Sequence, residues 1–160
     1  MDNTPFREIR RKDRAWDNAS ARELLRQGEY GFLAMRGTNG YAYGIPISYV
    51  MEEDHLYFHC APEGYKIDCL AADNRVCFTV VGRTHIEPER FTTGYESAMA
   101  FGEMQLELTD EERRHALRLL VEKYAPDYRA EGEQAMERSF NRTRILRLDI
   151  RHISGKSKRL

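Results

Sequence analysis

No hydrophobic run in the sequence approaches the roughly 20 residues that a membrane-spanning helix needs. Nor does an apolar stretch follow the first residues, Met1-Asp2-Asn3-Thr4-Pro5-Phe6-Arg7, as a secretory signal would require. A cytoplasmic protein without a membrane partner is the expectation. Cysteine is scarce: Cys60, Cys69 and Cys77 form an odd set with no C-x-x-C pair. That spacing suits reduced, structural thiols better than a disulfide framework or a zinc site. With 11 glycines and 5 prolines in 160 residues, and 41% hydrophobic residues, collagen-like, low-complexity and disordered classes are ruled out. Several catalytic signatures are also missing: a G-x-G-x-x-G after a strand, a Walker A loop, H-E-x-x-H and G-x-S-x-G. Rossmann enzymes, P-loop ATPases, zincins and α/β-hydrolases are therefore disfavoured, and any chemistry is expected from a bound cofactor.

What is present fits one domain spanning residues 1–160, with a core large enough to need no covalent staples. The formal net charge is only −1, but residues 142–160 carry +6 and residues 1–14 carry +2. A basic tail on an acidic body suits an anionic ligand, a nucleic acid or solubility alone. Nucleic acid is the weaker option, because no helix-turn-helix, zinc or aromatic RNP-type pattern accompanies the charge.

Along the chain, Asn18 or Ser20 caps a short helix running to about Arg26, with Gly28 as its stop. The period then becomes strand-like, with strands predicted over Tyr30–Arg36, Tyr41–Met51 and His55–Cys60. Pro46 places the second of these at an edge or a bulge. A helix is predicted over Tyr65–Ala72, followed by strands over Val76–Val81 and Ser97–Leu106. Thr109 and Glu112 form a capping box for a helix that Pro126 ends, and a looser helix covers about residues 131–140. Finally, Leu146, Leu148 and Ile150 share one face of a strand, with Arg147, Asp149 and Arg151 on the other. Strands in meander order interrupted by helices predict an α+β protein built on a mainly antiparallel barrel.

The segment from Leu56 to Asp68 carries the most chemistry. A strand ends in His59, a Pro/Gly loop follows, and Lys66 opens a helix. Unpaired N–H groups at a helix start, with an ammonium and an imidazole nearby, make a phosphate cradle. A surface lysine and a satisfied histidine fit the same spacing, which alone does not decide.

Six segments occur together and in order: residues 10–14, 41–68, 76–84, 91–103, 120–128 and 152–159. This set resembles the nitroimidazole-resistance (Nim) branch of the pyridoxamine 5′-phosphate oxidase-like flavin split barrels, over nearly the whole chain. The resemblance implies a six-stranded antiparallel split β-barrel with peripheral helices. It also implies a homodimer with FMN in a cleft at the interface. Ile45, Pro46, Ile47 and Ser48 would then run along the isoalloxazine, mostly through backbone groups. Phe58 and His59 would sit at the ribityl-phosphate side, Lys66 would hold the phosphate with Tyr65 beside it, and Ser97 would lie near the ring edge. Lys156 and Arg159 correspond to a basic C-terminal end that approaches the cleft, and Phe6 and Trp16 are candidates for closing the ring pocket.

One departure shapes the functional expectation. Where pyridoxamine phosphate oxidases carry R-x-V-L-L-K, this chain has Gly44-Ile45-Pro46-Ile47-Ser48-Tyr49. Oxidation of pyridoxamine phosphate is therefore not expected. The implied activity is reduction of small electron-poor substrates such as nitroaromatics, with His59 as a proton donor. A flavin-binding protein without catalysis, serving storage or sensing, is the alternative. A split barrel that holds another cofactor such as haem is a further one.

Overall fold

Alternating burial along Tyr30–Arg36 (β2) is what a strand with one face on a core requires. The computed structural model, which describes residues 5–159, puts Gly31, Leu33 and Met35 inside and Tyr30, Phe32, Ala34 and Arg36 outside. Around β2 the chain builds one antiparallel sheet from β1 (Ala15–Trp16), β3 (Ala42–Ser48), β4 (Val50–Glu52), β5 (His55–Cys60), β6 (Arg75–Glu87), β7 (Thr92–Gln105) and β8 (Arg144–Lys158). The strand order is β3-β2-β6-β7-β8-β5-β4, with β1 paired to the far end of β8. Six of these strands have six residues or more, and the sheet curls without closing, as a split barrel does. β3 is an edge strand, and Pro46 sits on it opposite Phe32 with no ladder to disrupt on its outer side.

The two rims of the sheet are consecutive in the chain. β3 ends at Ser48, Tyr49 turns, and β4 begins at Val50, so the single strand predicted over Tyr41–Met51 is two strands on opposite edges. Tyr49 is wholly buried and stacks edge-on against Phe78, at 4.6 Å between ring centroids. Its carbonyl accepts hydrogen bonds from Lys123 Nζ at 2.8 Å and Tyr124 Oη at 2.7 Å. Lys123 also donates to the Gly28 carbonyl at 2.6 Å and lies 4.0 Å from the centre of the Tyr49 ring. One residue of turn is thus held by a helix packed across it.

Inside the barrel, Leu33, Leu56, Phe58, Phe78, Met104, Leu146 and Leu148 form the main core. A second core lies outside it. The helices α3 (Asp110–Tyr124) and α4 (Arg129–Ser139) place Ala116, Leu117, Leu120 and Met136 against Val50, Tyr57 and Ile145. The helix α1 (Asn18–Gln27) packs on β7 and β8, and its cap is Asp17, whose carboxylate accepts from the Ser20 N–H, in place of the expected Asn18 or Ser20. Thr109 caps α3 as expected, while the Glu112 carboxylate turns away from the cap to Arg147 and Tyr57. Gly102 is required where the β7–β8 register shifts, because a Cβ there would lie 1.9 Å from the Asp149 carbonyl.

Candidate functional site

The split between the two rims arises from unequal strand lengths. β4 pairs with β5 only from His55 to Tyr57, so Phe58, His59 and Cys60 have no partner strand on that side. β3 approaches β5 there without pairing. Ile45 and Ile47 turn inward against the main core, while Pro46 and Ser48 take the outer face. Phe58 is fully buried among Tyr49 and Phe78, so it can meet a ligand in the split only through its backbone. His59, by contrast, is exposed at the end of β5 and has no hydrogen-bond partner among the described residues.

Beyond β5 the chain reaches Gly64 with φ +130°, a backbone angle open to glycine and costly for other residues. Gly64 is the N-cap of α2 (Tyr65–Ala72), and no side chain among the described residues caps that helix start. Its carbonyl accepts from Ile67 and Asp68, which leaves the first N–H groups of the helix directed outward. Tyr65 packs edge-on against Tyr43 of β3, at 4.9 Å between centroids, and so ties the helix start to the rim. Lys66 is half-buried and has no carboxylate partner among the described residues. Burial pushes the Cys60 thiol upward in pKa, and the charges of Lys66 and Arg144 pull it back down. Two cations thus act on Cys60 beside an uncapped helix start, and one of them, Arg144, also pairs with Glu107 at 3.4 Å. The sequence reading missed Arg144, because its place opposite Cys60 depends on the β5–β8 register.

The remaining expected residues lie elsewhere on the chain. Ser97 of β7 pairs with Lys156 of β8, and both line a cavity of about 370 Å3 on the outer face of the sheet. His152 and Ser154 share it, at the same alternate positions of β8 as Lys156. A period-two reading of the tail would have found them. Phe6 covers this cavity, with its ring stacked on His152 at 4.8 Å and 6°. Trp16 pairs instead with Gly155 on β1. Arg159 belongs to a third place, a hollow between the end of β8 and the β6–β7 hairpin. Within one chain, then, the structure gathers Ile45, Pro46, Ile47, Ser48, His59, Tyr65 and Lys66 around the split. It holds Ser97 and Lys156 together on the same outer face as Pro46 and Ser48 but three and four strands away from them, and Arg159 apart from both.

That outer face is apolar for its exposure. Pro46, Phe32, Thr79, Met99 and Ser154 lie in register across five strands, flanked by Tyr30 and Val81. Phe32 is 46% exposed and Val81 55%.

A model of the pyridoxamine 5′-phosphate oxidase family matches residues 17–157. No curated protein matches the chain. Solved structures do. A candidate 5-nitroimidazole antibiotic resistance protein of Bacteroides thetaiotaomicron is 25% identical with a TM-score of 0.73, over 89% of this chain and 86% of that one. A FAD-binding protein of Mesorhizobium loti is 21% identical with a TM-score of 0.65, over 91% and 98%. A FAD- and haem-binding protein of Mycobacterium smegmatis is 20% identical with a TM-score of 0.77, over 90% and 72%.

Proposed function

The chain belongs to the pyridoxamine 5′-phosphate oxidase family, and from that premise we propose that it is an FMN-binding oxidoreductase that reduces small electron-poor substrates such as nitroaromatics. The observation that carries this reading is the uncapped start of α2 with Lys66 and Arg144 beside it, opening onto an edge strand. A phosphate of charge near −2 suits that arrangement, since both cations and the helix N–H groups favour it. The unpaired rim of β3 then offers backbone donors and acceptors to a flat heterocycle. Bound there, the flavin would supply the electron transfer, which no side chain of this chain can perform alone. His59, exposed beside the split, is placed to deliver a proton from the protein side.

The same reading assigns the apolar outer face to a second copy of the chain. Tyr30, Phe32 and Val81 form a contiguous exposed patch of the kind that marks an interface. In a homodimer, Ser97 and Lys156 of one copy would complete the cleft begun by Lys66 of the other, which accounts for two groups of site residues several strands apart.

The test is the absorption spectrum of the purified protein, with release and mass identification of the chromophore. A yellow protein yielding FMN is the expected result, and a colourless protein that takes up no added FMN would end the proposal. Lys66→Met should weaken FMN binding by about 10- to 150-fold, the equivalent of a charged hydrogen bond worth about 1.5–3 kcal/mol. FMN retained at wild-type affinity would remove Lys66 from the site.

A further inference from the structure

The hollow around Arg159 has features that the split does not explain. Arg83, Thr84 and His85 of β6, Gly94, Tyr95 and Glu96 of β7, and Lys158 with Arg159 enclose about 550 Å3. Across the rest of the surface, arginines such as Arg75, Arg90, Arg129, Arg147 and Arg151 each meet a carboxylate. Arg83, Lys158 and Arg159 meet none among the described residues, although they converge on one concavity that holds a single carboxylate, Glu96. Three cations against one carboxylate in a single hollow repel one another unless a further anion joins them.

The phosphate cradle at Lys66 cannot be that anion's site on the same chain. Arg144, beside Lys66, and Lys158 begin and end β8, a strand of 15 residues. At about 3.3 Å per residue they stand roughly 45 Å apart along the strand, beyond the reach of a single phosphate. The Ser97 cavity, on the other hand, is close. Tyr95 pairs with Lys158 and Ser97 with Lys156, so hollow and cavity are two residues apart on the same side of both strands, about 7 Å.

We propose that this hollow binds the diphosphate of a nucleotide, with Arg83, Lys158 and Arg159 on the phosphates and Tyr95 offering an aromatic surface to the base. Reduced nicotinamide dinucleotides, which are soluble hydride donors, carry such a group. The hollow's distance from the Ser97 cavity would let one molecule span both. That last step rests on the flavin reading above, whereas the anion site itself does not.

The experiment is calorimetric titration of the purified protein with ADP, adenosine and inorganic pyrophosphate, alongside the flavin content of each preparation. Wild type should bind ADP more tightly than either fragment, with affinity falling as salt is raised. The double substitution Arg83→Gln with Lys158→Gln should weaken ADP binding at least tenfold and leave the flavin content and thermal midpoint unchanged. Failure to bind ADP, or binding that the double substitution does not move, would overturn the proposal. Pyrophosphate binding as tight as that of ADP would overturn the nucleotide assignment. A parallel loss of flavin would overturn it too, by showing that these cations serve the flavin phosphate of the second copy. ADP binding in a protein that takes up no flavin would uphold the site and end the flavin reading alone.

Discussion

Lys123 is a side chain whose chemistry departs far from its type. Two carbonyls and the face of Tyr49 surround its ammonium, and burial nevertheless brings its pKa from 10.5 down to about 8. Below pH 8 the folded and unfolded chains both keep the proton. Between about pH 8 and 10.5 the folded chain has lost it while the unfolded chain still binds it, so this group makes the fold more stable as pH rises through that window. Urea unfolding of wild type and Lys123→Met at pH 7, 8, 9 and 10 should show the difference moving in favour of wild type at each step above 8. A constant difference would mean that Lys123 titrates as it does in water. Nothing in the sequence around Glu122-Lys123-Tyr124 marks this residue, because its partners at Gly28 and Tyr49 lie more than seventy residues away.

At the scale of elements, α3 is legible from its ends. Thr109 Oγ1 accepts from the Glu112 N–H at 3.2 Å, and Thr109→Ala should cost about 1 kcal/mol in chemical unfolding. Glu112 has a second task, since it pairs with Arg147 at the seam between α3 and β8. Arg147 in turn holds Asp149 ionised below the usual carboxylate range despite the burial that opposes its charge. Helix ends and the short strands β2 and β5 were readable because caps and alternation are local signals. The long hairpin of β6 and β7 was only partly so. Its apolar base at Val76–Val81 announces a strand, but Arg83, Thr84 and His85 continue that strand without a core to bury. β8 hid its second half in the same way, and His152–Lys158 read as a basic tail although every residue there pairs with β7. For the site, Lys66 and its helix were legible from one continuous segment. The grouping of Ser97 with Lys156, and the separation of both from Arg159, depended on a cross-strand register that no local pattern encodes.

For the whole molecule, the decisive surface is the apolar face of β2, β6 and β7. Phe32→Glu places a charge at its centre without touching either core, so the folded chain should keep its stability to within about 0.5 kcal/mol. Under the proposed homodimer, sedimentation should show the mass falling from two chains to one, with flavin lost in step. A dimer that persists would put the second copy elsewhere. The one-residue link at Tyr49 has a consequence of another kind. Unpaired strand rims are templates on which foreign chains can add, and long flat ones invite fibrils. Here the two rims are joined by a single buried residue, and β3 lies against the unpaired end of β5 across the split. A chain that exposes so much apolar surface on its sheet face is thereby kept from growing edge to edge.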